Sequence, residues 1–328
     1  MRMIWSSAAD GLRLMSYPEA LLIHNAAIGD FLISLRVIEL LNTPDAPLRW
    51  SYLGKPPLGS LARSLGRTER YFDFEVGPWH RLFQAGNDFP EEFVPFFGQF
   101  SLIVNVLGGP DELVSQNLTR FAQGRIHHIE PKLPKNYSEG HYWQWLARQV
   151  NPDRAQSLPS GHYRPGPTEL ADAKRILEEN RVDAARTIFL HPGASSLAKR
   201  WPASHFVTLA KALLSKGLVP VFLMGPVELE QFPSGLTDEF ALLGPVWINL
   251  PLDILAAMLH LGRAYVGNDN GISHLAGMVG ARTMVVFTST SARLWRPLGP
   301  KIEVIDRKSK PSDGQIIDEI AHRLCTID

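Results

Sequence analysis

Two adjacent cations, Lys199 and Arg200, follow a glycine and two serines in the stretch HPGASSLAKRWP (191–202). Gly193 frees the backbone and Ser195 and Ser196 offer hydroxyls. The cations complete the set of groups that holds a phosphate or diphosphate. A second stretch, NDNGISH (268–274), opens a helix at Gly271, where backbone N–H groups are free to meet an anion. Asp269 can accept hydrogen bonds from a ribose or a base, and His274, one turn into the helix, can reach the same anion. A third stretch, IHNAAIGDFLISL (23–35), runs through small residues to Gly29 and Asp30 at a helix start. Small residues permit a ligand to approach the backbone closely, and a carboxylate there would look into a cleft.

Each feature also has an ordinary structural explanation. Asp30 or Asp269 can serve as an N-cap, worth about 1 kcal/mol, and an isolated histidine such as His274 is more often a satisfied core residue. Trp201 and Pro202 read best as structure: an aromatic anchor in the core and a proline at the first position of the following helix. Glu228, just after FLMGP, can bind a sugar hydroxyl or face solvent from a helix. In VLGGPDE (106–112), Gly108 and Gly109 can admit a ligand or make a tight turn.

The elements that must position these residues alternate. Strand-like runs at 20–25, 48–54, 71–76 and 101–109 flank a helical pattern at 30–41. In the second half, strands at 187–191, 219–224, 246–250, 264–267 and 283–287 are separated by helices at about 202–216, 252–261 and 271–279. Gly217 and Gly280 fall where helix C-terminal glycines belong. Strand–helix alternation implies parallel βαβ units. A polar, proline-rich stretch at 152–167 divides the chain into two doubly wound α/β halves, 1–160 and 161–328. Ligands of such sheets bind beyond the C-terminal strand ends, where all three stretches fall. The loop at 191–202 is also longer than the roughly 4–6 residues that connections usually need, which suggests binding.

Bulk properties remove other classes. Lysine plus arginine and aspartate plus glutamate number 33 each, so no global field favours nucleic acid. The single cysteine, Cys325, rules out an intramolecular disulfide framework and fits a reducing compartment. No apolar run reaches the roughly 18 residues of a membrane span, and residues 1–18 read as a loosely held extension without the apolar block of a signal peptide. A cytoplasmic protein is expected. His127, His128 and His141 lack metal-ligand spacing, and neither a P-loop nor a GxGxxG pattern occurs.

In their order and spacing, IHNAAIGDFLISL, HPGASSLAKRWP and VGNDNGISHLAGMVGARTMVVF resemble the signatures of the bacterial ADP-heptose:lipopolysaccharide heptosyltransferases, glycosyltransferase family 9. The resemblance runs from about residue 20 and is strongest in the second half. It implies a GT-B fold: two Rossmann-like domains facing across a cleft, with the acceptor and catalytic base in the first and the nucleotide-sugar donor in the second. It implies inverting, metal-independent transfer without a cofactor, with Asp30 as the base. Gly193, Ser195, Ser196 and Lys199 then fall on the diphosphate positions and Glu228 on an acidic donor position. Leu250, in NLPLD, falls beside the adenine, and Asp269, Asn270, Gly271 and His274 on the nucleotide-sugar motif. His24, Gly29, Gly108 and Gly109 are the acceptor-side candidates.

The implied partners are ADP-heptose and a glycan or glycolipid acceptor of the lipopolysaccharide core, handled by a monomer in contact with the inner membrane surface. Arg63, Arg67, Arg81 and Arg120 could bind a phosphorylated glycolipid or simply be surface charge. The chain departs from the family pattern in three places. Asn270 stands where Thr or Ser is usual, His24 where Lys or Arg is common, and the usual proline within LISLRVIEL is missing. These departures leave open a nucleotide-sugar epimerase or hydrolase on the same fold, and a non-catalytic ADP-sugar-binding protein.

Overall fold

Strands that read as near-continuous apolar runs need cover on both faces, which parallel sheets obtain from crossover helices. The computed structural model describes residues 17–42, 45–233, 235–309 and 312–326 and contains two such sheets. The expected N-terminal extension, 1–18, lies outside the described residues except for Tyr17 and Pro18.

The first sheet holds β1 (Glu19–His24), β2 (Arg49–Gly54), β3 (Arg70–Asp73), β4 (Leu102–Asn105) and β5 (Arg125–His128), in the order β3-β2-β1-β4-β5. The second holds β6 (Thr187–His191), β7 (Val219–Met224), β8 (Val246–Ile248), β9 (Ala264–Asn268), β10 (Thr283–Phe287) and β11 (Ile302–Asp306), in the order β11-β10-β9-β6-β7-β8. Every pairing is parallel. Strand order reverses beside β1 in one sheet and beside β6 in the other. The crevices therefore open where β1 meets β4 and where β6 meets β9. In the second crevice His191 lies in register with Gly267, so the loops after β6 and β9 leave the sheet side by side.

Alternation along the strands divides the core. Leu21 and Ile23 of β1 pack outward with Phe93, Phe97 and Phe100, whereas Ala20 and Leu22 pack inward. In β6, Ile188 and Leu190 pack outward with Phe206 and Phe222, and Phe189 packs inward. The inward cluster is shared by the two halves, joining Phe31, Leu32 and Leu61 to Leu255, Met258 and Leu275. Such a core welds the sheets instead of leaving them on a tether.

Two of the contacts between the halves show how they meet. Ser60 Oγ donates to Asp253 Oδ2 at 2.6 Å. The helix Ile28–Ile38 also abuts the helix Gly271–Met278 so closely that a Cβ on Gly271 would come within 2.8 Å of Ile28 Cβ and 3.2 Å of Gly29 N. The proline-rich stretch between the sheets is pinned as well. Tyr163 N donates to Met278 O at 2.8 Å, and the Arg36 guanidinium lies 4.1 Å from the centre of the Tyr163 ring.

Several expected strands are shorter than their apolar runs, as at 71–76, 101–109 and 246–250, because pairing stops where the chain turns toward the crevice. Pro202 is the N-cap of the helix Ala203–Ser215 and not its first residue. The edge strands β5 and β11 and the helix Asp313–Cys325 were not among the expected elements. RIHH and IEVID are too polar to stand out as strands.

Candidate active site

One cavity of about 880 Å³ lies between the two crevices. Gly29 and Asp30 line it from the first half. Ser195, Lys199, Glu228, Leu250, Asp269, Asn270, Gly271 and His274 line it from the second. Close approach of the two helices at Gly29 and Gly271 sets these groups against each other.

Asp30 is not a cap. The N-cap of its helix is Ala27, with no side-chain hydrogen bond, and Asp30 follows in the first turn. Burial raises its carboxyl pKa above the ordinary value, and the charge of Lys199 pulls it partly back. The carboxylate is thus a stronger proton acceptor than a solvated aspartate and is electrostatically coupled to the opposite wall.

On that wall Lys199 ends a short turn, Leu197–Lys199, and its Nζ lies 3.1 Å from Asp269 Oδ2. Thr290 Oγ1 donates to the same oxygen at 2.7 Å. Asp269 therefore orients the lysine, and the capping role falls to Asn270. Asn270 Oδ1 accepts from Ser273 N at 2.9 Å, which leaves its amide nitrogen to face Gly193 O at 2.8 Å and His191 Nδ1 at 2.9 Å. His191 must accept at Nδ1, so its proton sits on Nε2, aimed at Glu228 Oε2 3.6 Å away. Glu228 is buried and also accepts from Gly225 N at 2.8 Å. Burial alone would raise its pKa, but His191 and the backbone donors outweigh that and hold it below the usual range.

His274 is buried against the N-terminal half, and a Cβ on Gly29 would lie 3.4 Å from its Cδ2. Burial lowers its pKa to about 4 against the attraction of Asp269. At neutral pH it is therefore an uncharged imidazole, able to offer a ligand a hydrogen bond but no positive charge. Asn268, which motif reading passed over as an individual residue, ties the two loops together. Its Oδ1 accepts from Trp201 N at 2.9 Å and its Nδ2 donates to Pro192 O at 2.8 Å. A buried amide at a strand end is the signal that could have found it. Trp201 is the expected anchor, fully buried, with Nε1 donating to Asp313 Oδ1 at 2.8 Å.

Other expectations need correction. Gly193 is not part of the cavity lining; a Cβ there would fall 1.7 Å from Glu228 Oε1, so its glycine lets the carboxylate pack beneath the loop. Ser196 is exposed beyond the lining, and Arg200 is turned back onto Ala194 O and over the Phe232 ring. His24 is buried in the core, its ring centroid 5.6 Å from that of Phe31, and burial together with Lys55 lowers its pKa to about 3. It offers the cavity no charge because β1 alternation points it inward. Gly108 and Gly109 lie in a turn after β4, where Gly108 O accepts from Ser115 Oγ at 3.0 Å, and neither lines the cavity. His141 caps the helix Tyr142–Arg148, accepting from Trp143 N at 3.0 Å. Among the described residues no group of three or more His, Cys, Asp or Glu is placed to hold a metal.

Residues 154–316 match the sequence profile of Glycosyltransferase family 9 (heptosyltransferase). A stretch of 124 residues is 31% identical to Lipooligosaccharide heptosyltransferase 2 of Haemophilus influenzae; it spans 35% of this chain and 34% of that one. The fold is similar to that of a glycosyl transferase family 9 protein from Veillonella parvula, with a TM-score of 0.67 at 14% identity over 97% of this chain and 96% of the other. It is also similar to that of E. coli heptosyltransferase WaaC with ADP, with a TM-score of 0.65 at 17% identity over 93% and 99%. The half that carries Lys199 and Asp269, residues 154–316, is thus a glycosyltransferase family 9 domain, in a chain of two parallel-sheet domains with the GT-B arrangement.

Proposed function

We propose that the chain transfers a sugar, heptose from ADP-heptose, to a hydroxyl of a lipopolysaccharide-core or related glycan, with inversion and without a metal. The observation that carries this reading is the opposition, across one cavity, of a half-buried carboxylate with a raised pKa and an anion-holding wall. Asp30 removes the acceptor proton, a role typically contributing 10²–10⁴-fold. Lys199, Ser195, the neutral His274 and the N–H groups opening at Gly271 stabilise the departing diphosphate by preorganised electrostatics. Glu228 accepts from donor hydroxyls, and Leu250 beside Trp247 receives the base. The ADP in the WaaC structure supports the choice of nucleotide.

The test incubates the protein with ADP-heptose, with and without a lipopolysaccharide-core acceptor. ADP release that requires acceptor, persists in EDTA and yields the inverted anomer is expected. Conversion of the donor alone would instead favour an epimerase or hydrolase.

A further inference from the structure

The cavity wall of the first half carries charge in an order that bears on the acceptor, and this inference rests on the transfer reading above. Among the described residues its charged members are Asp30, Lys55 and Glu75, set among apolar Ile28, Pro57 and Leu58. Lys55 Nζ donates to Ala26 O at 3.2 Å, which ties the cation to the turn that precedes Asp30. Glu75 follows β3, with its own N–H donating to Asp73 Oδ1 at 2.9 Å, and its exposed side chain reaches the cavity.

The arginines that could have served a phosphorylated acceptor are engaged elsewhere. Arg67 lies 3.4 Å from Glu39 and over the Tyr163 ring. Arg81 pairs with Asp88 at 2.7 Å. Arg120 donates to Gly86 O at 2.9 Å and Asn87 Oδ1 at 3.0 Å. Arg63 lies over the Tyr71 ring. None of the four lines the cavity.

From this juxtaposition we infer that Glu75 and Lys55 form an acceptor subsite for an uncharged sugar, with Glu75 excluding acceptors that carry a phosphate or carboxylate beside the accepting hydroxyl. A carboxylate accepts sugar O–H groups in short, charge-assisted hydrogen bonds, and the Lys55 ammonium donates to a neighbouring oxygen. The same carboxylate repels an anionic substituent, with Asp30 adding to the repulsion. Pro57 and Leu58 offer the apolar C–H face of a sugar ring a dry contact.

The experiment compares two probes, the methyl glycoside of a neutral heptose and its 4-phosphate. Their binding is read by saturation-transfer NMR in the presence of ADP, and transfer from ADP-heptose is measured separately. The wild type is expected to bind the neutral probe at least about tenfold tighter, a ratio in keeping with one like-charge contact at a protein surface. Glu75→Lys should level or invert that preference, and Glu75→Gln should narrow it while retaining the neutral probe. Equal or tighter binding of the phosphate by the wild type overturns the inference. So does failure of both probes to bind, or a Glu75→Lys variant that weakens both alike. Preserved preference without transfer counts against glycosyl transfer and supports the subsite.

Discussion

The two walls of the cavity are built differently. On the C-terminal wall two runs of mutual hydrogen bonds and ion pairs stand side by side, one through Lys199, Asp269 and Thr290 and one through Asn270, His191, Glu228 and Gly225. On the N-terminal wall Asp30 projects from a helix whose cap makes no side-chain bond. A diphosphate must be met by groups already in place, since reorganising them during the reaction would forfeit their effect. A base needs only one oxygen at the right place with a suitable pKa. On the proposed function, the difference teaches that donor handling is distributed over many residues, whereas proton removal is concentrated in one.

That contrast can be broken most severely at Asp30. Asp30→Ala is expected to lower kcat by about 10²–10⁴-fold while ADP affinity in calorimetry stays as in the wild type. Retention of turnover would remove Asp30 from the chemistry. Lys199→Ala should strike both quantities, weakening ADP binding by roughly 10–100-fold, the range of a charge-assisted hydrogen bond to a phosphate.

The same lysine sharpens the comparison through pH. Asp30 must be ionised to accept a proton, and burial raises its pKa, so kcat should rise with pH along a limb above the ordinary carboxylate value. Lys199 lowers that pKa, so in Lys199→Ala the acid limb should move to higher pH. A limb that stays in place would show that the two walls are not coupled.

Gly193→Ala tests the support beneath the donor wall. The added Cβ must displace Glu228, and a loss of about 1–3 kcal/mol in thermal stability is expected together with a raised KM for the donor. Asn270→Thr should have a smaller effect, a several-fold rise in donor KM, because a shorter side chain gives up the bonds to His191 and Gly193 while keeping the cap. Ser196→Ala should change steady-state turnover less than about twofold, since its side chain is exposed outside the lining.

Much of the C-terminal cavity wall was legible because its residues are contiguous in sequence. Lys199 and Ser195 share one loop, and Asp269, Gly271 and His274 share one turn of chain. The misassignments came where neighbours in sequence point apart in space. Gly193 faces Glu228 beneath the loop, Ser196 faces solvent, and His24 alternates into the core. Gly108 and Gly109 follow a strand at a crevice yet are held in a turn by Ser115. Thr290 and His191 could not be attached to the site from spacing alone, because their partners are distant in the chain.

Composition, alternation and the three polar stretches by themselves determined that the chain forms parallel α/β units and that groups chemically suited to a phosphate stand at strand ends. Those properties follow from local periodicity and from residue chemistry. Only the tertiary structure decided that Asn270, not Asp269, caps the helix, that Asp269 orients Lys199, and that Gly29 meets Gly271 so that Asp30 faces the C-terminal wall. These depend on contacts between elements that lie far apart in the chain, where close backbone approach and hydrogen-bond geometry choose among roles the sequence leaves equal.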